Sequence, residues 1–125
     1  MRTDLAMVYE DRSDPARPLH SRFGLGVWMN RIVTGHHWIG IRLHGDARTS
    51  PLGATIRIVT PGRTVAGVVV AGDSWASQQS SGKIFGLGSG SKIDRVEAGW
   101  PDGRTTVLAS PQVDRWIVLT PPQTR

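Results

Sequence analysis

The sequence predicts an all-β domain, an antiparallel β-sandwich or small barrel of seven to nine strands. Three observations carry this. Fifteen glycines and eight prolines are spread evenly along 125 residues. Short apolar runs, several rich in β-branched residues, sit between them, as strands sit between turns. No stretch of about twelve residues places its apolar positions at helical spacing.

The elements follow in order. Residues 5–9, LAMVY, read as a first strand, and residues 10–22, charged and proline-bearing, as a loop. GVWMN at 26–30 is a further strand candidate. Residues 1–35 together form a lead-in segment. In HWIGIRLHG, Ile39, Ile41 and Leu43 point one way and Gly40, Arg42 and His44 the other. ATIRIVT alternates again, with Ala54, Ile56 and Ile58 facing a core. Pro61-Gly62-Arg63 signals a hairpin. Residues 65–70 carry apolar side chains at both parities and read as a strand covered on both faces. KIFGLG is followed by a turn and then by KIDRVEAGW, which places Val96, Ala98 and Trp100 on one face. Pro101, Asp102 and Gly103 make a turn into RTTVLA. VDRWIVLT is the last strand, and the prolines at 121 and 122 end it, since proline cannot join a ladder. The domain expected is 36–120, with a tail over 121–125 and a core built on Ile56, Ile58, Val96 and Trp100.

Composition narrows the function. There is no cysteine, which removes disulfides, thiolate metal sites and a cysteine nucleophile. The net charge is +5, with thirteen arginines among fifteen basic residues. They are dispersed without a basic run, so nucleic acid is not expected as a partner. No apolar stretch is long enough for a membrane span. The N-terminus, MRTDLAMVYEDRSD, has acids where a signal peptide needs a longer apolar run, so no export signal is expected.

The glycines at 86, 88 and 90, with Lys92 after them, invite comparison with a phosphate-binding loop. A Walker-type loop places its lysine directly after the last glycine and opens a helix. Here Ser91 intervenes and a strand pattern follows. Gly86, Gly88 and Gly90 are therefore expected to form a turn between two strands, where positive φ is wanted.

The segment KIFGLGSGSKIDRVEAGWPDGRTTVL closely resembles the ASPIC/UnbV domain, with its HFGLG segment and IDRVEVRWPSGR strand. HHWIGIRLHG, GATIRIVTPGRT and GDSWASQ resemble further family segments in the same order, so the resemblance spans roughly residues 36–120. Ile84 stands where the family commonly has histidine, and Ala98-Gly99 where it has Val-Arg. Family members usually carry this domain after FG-GAP/VCBS β-propeller repeats. They include secreted cartilage proteins and proteins of enediyne antibiotic clusters. The resemblance implies an accessory, often extracytoplasmic module with no established reaction. About 35 residues precede the domain, fewer than one propeller blade, so no propeller is expected in this chain. The compartment stays open.

Candidate sites are few. His37 and His44 fall on opposite faces of one strand, roughly 23 Å apart, so they cannot share a metal. Asp94 and Glu97 also point to opposite faces, unlike a glycosidase pair, which needs about 5–9 Å across one cleft. Ser74 lacks the helix that follows a nucleophile elbow. No catalytic residue, metal or cofactor is expected. Trp75 and Trp116, with Ser77 and Gln78 satisfying backbone groups nearby, are the candidate contact residues. The expected role is a non-catalytic interaction module with a protein partner, a second copy of the chain included. A glycan stacked on exposed tryptophan is the alternative. An accessory enzyme of secondary-metabolite biosynthesis is a third reading, which would need a pocket with convergent polar groups.

Overall fold

The computed structural model describes residues 5–11, 22–72 and 80–123. The chain divides into two compact units, residues 1–34 and 35–125. The first holds an antiparallel ribbon of β1 (Leu5–Asp11) and β2 (Arg22–Trp28). β1 therefore runs past the expected end at residue 9, and β2 begins before the expected start at 26. Its glycines explain why FGLG at 23–26 can be a strand. Tyr9 lies where a Cβ on Gly24 would stand, and Trp28 lies where one on Gly26 would stand. The rings cover backbone that glycine would otherwise leave bare.

The second unit is a sandwich. One sheet has the order β6-β3-β9, from β6 (Gly82–Gly88), β3 (His37–Leu43) and β9 (Arg115–Leu119). The other has the order β5-β4-β7-β8, from β5 (Arg63–Val68), β4 (Thr55–Thr60), β7 (Arg95–Gly99) and β8 (Thr105–Ala109). Among the described residues there are nine strands and no helix, and the sheets do not close into a barrel. No helix there is long and apolar enough to cross a membrane.

The alternation in each strand decides which side faces inward. Ile39, Ile41, Leu43, Phe85, Leu87 and Leu119 from the first sheet meet Ile56, Ile58, Val96 and Ala98 from the second. Ala54, Val69, Ile93 and Trp100 complete the core from the strand ends. Gly67 makes room for the Phe85 ring, which lies 3.2 Å from where a Cβ would be. The Trp100 indole donates to Thr106 Oγ1 at 2.9 Å, and that hydroxyl donates to the carbonyl of Thr120 at 2.7 Å.

Both hairpins of the larger sheet close through glycine with positive φ. Pro61-Gly62 joins β4 to β5, with Gly62 at φ 83°, the residue pair of a type II turn. Pro101, Asp102 and Gly103 join β7 to β8, with Gly103 at φ 87°. Of the three glycines expected in a turn, Gly86 lies inside β6, Gly88 ends it at φ 67°, and Gly90 lies in the connection to β7.

Five of the six strand pairings among the described residues are antiparallel, as expected. The sixth is parallel, β9 beside β3 with Gly40 opposite Trp116. The chain leaves β8 and crosses to the other sheet, and such a crossing does not impose the reversal a tight hairpin imposes. Ser110 at φ 48° and Asp114 at φ 61° bend it. Residues 65–70 are not buried on both faces. β5 is an edge strand of its sheet and leaves Val68 exposed, and just beyond it Val69 is buried while Val70 is exposed.

Candidate functional site

The outer face of the β6-β3-β9 sheet gathers the residues with recognition chemistry. The register places Gly40 between Ile84 and Trp116, and Arg42 between Gly82 and Val118. Two glycines on neighbouring strands leave a shallow floor, and the Trp116 ring lies on it. A Cβ at Gly40 would sit 2.5 Å from that ring, and one at Gly82 would sit 3.0 Å away. Trp38 meets Trp116 edge to face, with centroids 6.3 Å apart at 70°. The Arg42 guanidinium stands over the same ring, 5.2 Å from its centroid, in a cation–π contact. Trp116 nevertheless keeps 38% of its surface exposed, beside exposed Ile84 and Val118.

The end of this face is held by a latch. Asp114 Oδ2 lies 2.6 Å from His37 Nδ1, and Asp114 Oδ1 accepts from the Trp38 amide at 3.2 Å. The Asp114 amide in turn donates to the Trp38 carbonyl at 2.7 Å. The hydrogen bond from His37 draws the Asp114 carboxyl below its ordinary range, and the Trp38 amide adds to this. Three bonds across 76 and 77 residues of sequence thus fix where β9 enters beside β3.

A second polar cluster lies around Arg104, directly after the 101–103 turn. Its guanidinium bonds Asp102 Oδ2 through Nε at 2.8 Å, Asp46 through Nη2 and the Pro122 carbonyl through Nη1 at 2.9 Å. Asp46 Oδ1 also accepts from the amides of Arg48 and Thr49. These amides, the Arg48 amide first, and the guanidinium of Arg104 lower the Asp46 carboxyl, while the Arg104 side chain is the main cause for Asp102. The Arg104 guanidinium is raised correspondingly, chiefly by its bond to Asp102. The cluster borders a cavity of about 280 Å³ that Ala47, Arg48 and Gln123 also line. With both carboxylates engaged by one guanidinium, it joins two loops and the tail and carries no free base.

The other candidate residues separate. Trp75, Ser77 and Gln78, like Ser74, lie outside the described residues. Glu97 faces out between Arg57 and Arg95, and the hydrogen bond from Arg95 lowers its carboxyl. Asp94 lies 3.9 Å from Lys92. Among the described residues, no three histidine, aspartate or glutamate side chains gather as metal ligands would. Ile56, Ile58, Val96 and Trp100 are buried. The sequence reading gave Arg42, Asp114 and Arg104 no role, since each acts across the fold on a residue far from it in the chain.

This is a small β-sandwich domain that presents a sheet face and polar loop clusters. The chain belongs to the ASPIC and UnbV family, whose model matches residues 45–125. The match covers β4 to β9 and starts just after β3, although β3 is the central strand of its sheet. No curated protein and no solved structure matches the chain.

Proposed function

We propose that the domain is a non-catalytic interaction module that contacts a protein through the outer face of the β6-β3-β9 sheet. The observation that carries this is the half-exposed Trp116, seated on Gly40 and Gly82 beside Arg42, with Ile84 and Val118 exposed on the same face. Tryptophan and arginine are the residue types that dominate protein contact energies, and a rigid seat spares the ordering cost of a mobile anchor. A second copy of this chain is the simplest such partner. The exposed part of the Trp116 ring also supports a second reading, a sugar ring stacked on it. The Arg42 guanidinium already stands over that indole, which favours the protein reading.

Sedimentation velocity over a range of concentrations tests it. Association that disappears in an Ile84→Asp, Val118→Asp variant is the expected result. Both positions are exposed, so the fold should tolerate the change. A chain that stays monomeric, and whose tryptophan fluorescence responds saturably to a neutral glycan unless Trp116 is replaced by alanine, would overturn it in favour of the sugar reading.

A further inference from the structure

The glycine-rich segment after β6 fails as a nucleotide-binding loop, yet it borders the larger of the two cavities described here. That groove, about 580 Å³, lies between the β4–β5 turn and the β6–β7 connection. Its polar lining residues include Arg63, Lys92, Ser89 and Ser91, and no acidic residue lines it. Pro61 supplies an exposed apolar part of the wall, and Leu87, buried in the core, borders it. Gly88, at φ 67°, turns the chain out of β6 into the segment that holds Ser89 and Ser91. Arg63 donates through Nη2 to the Gly86 carbonyl at 2.9 Å, which ties the two walls together and holds the guanidinium in place. Lys92 has only a long contact to Asp94, 3.9 Å, and its side chain is 76% exposed.

The contrast with Arg104 is informative. Arg104 faces two carboxylates within 2.8 Å, whereas the ion pairs among the described residues include none for Arg63. Two cationic and two serine residues around one concavity, with no acid in the lining, leave a surplus of positive charge. A guanidinium fork and a lysine head together suit the oxygens of a tetrahedral anion. The volume falls in the range of sites for small molecules, larger than a bare ion needs. We infer that this groove binds a tetrahedral oxyanion ester, a phosphate or sulfate group carried on a small organic molecule whose body rests on Pro61.

The test is an amide-resolved NMR titration of the full chain with inorganic phosphate and inorganic sulfate, at constant ionic strength against chloride. Saturable shifts should concentrate in residues 60–63 and 87–92. A sugar phosphate and a monosulfated disaccharide then separate the two sources. Tighter binding of one names the ester, and binding of both no tighter than that of the inorganic anions would overturn the organic body. Lys92→Gln should weaken phosphate or sulfate binding about tenfold, the loss of one charge-assisted bond. Arg63→Gln should do at least as much. Should Arg63→Gln loosen the loop through its Gly86 contact, the exposed Lys92 variant still decides. Shifts that never saturate, shifts shared evenly with Arg42, Arg57, Arg95 and Arg115, or an affinity unchanged in Lys92→Gln would each overturn the inference. These outcomes are independent of those for the β6-β3-β9 face.

Discussion

Gly40 has no side chain because the Trp116 ring occupies the space one would fill. Gly40→Ala should push the indole off the sheet, at a cost of about 1–3 kcal/mol for overpacking. A lower urea midpoint with altered tryptophan emission would be the sign, and an unchanged midpoint would remove Gly40 as the floor of the site. Asp114 is the other single residue on which the face depends. Its carboxyl is depressed in the folded chain by His37 and the Trp38 amide. A depressed acid contributes stability that is present above its unfolded pKa and lost as pH falls through its folded one. Asp114→Asn keeps a residue that tolerates φ 61° while removing the charge. The variant should be less stable than the parent at neutral pH, and the two should converge under acid, once Asp114 is protonated in both states. Urea midpoints measured across that range check this, and a gap independent of pH would remove the charge from the account.

Among the elements, β4 lies inside the larger sheet, between β5 and β7, with the first sheet packed on its inner face. Ile56 and Ile58 are fully buried there. Either one replaced by alanine should cost about 2–5 kcal/mol, read from chemical denaturation. The outer face of the same strand should be far more tolerant, since Arg57 contributes an exposed pair with Glu97. The connections form a second level of organisation. Arg104 fastens the 101–103 turn, the loop at Asp46 and the tail at Pro122. Arg104→Met should leave the strands in place and speed amide exchange in residues 46–49 and 120–123. Exchange unchanged in both segments would show that the loops hold themselves.

At the scale of the whole molecule, residues 35–125 contain both sheets of the sandwich and the buried core found among the described residues, so this fragment should unfold in one transition close to the main transition of the full chain. A calorimetric scan of the two forms checks this, and a fragment without a cooperative transition would show that residues 1–34 are needed. The β1–β2 ribbon alone should not hold its structure in water, because two strands bury too little. The inward faces of β3, β4 and β7 and both tight turns were legible in the chain, because alternation and turn chemistry act over neighbouring residues. The family was legible for the same reason, its motifs being local strings. β2 was obscured because its glycines are covered by rings from Tyr9 and Trp28, and the open face of β5 because valine looks the same whether buried or exposed. Of the site, Trp116 could be singled out by type, but not its seat on Gly40 and Gly82 or the guanidinium of Arg42 above it. The parallel entry of β9, the latch from Asp114 to His37 and the clamp from Arg104 to Asp46 join positions 58 to 77 residues apart. The sequence by itself determined the fold class, most of the strands, the two tight hairpin turns and the family. The tertiary structure alone decided the order and direction of the strands and which charges stand together, because those depend on how distant segments close on a common core.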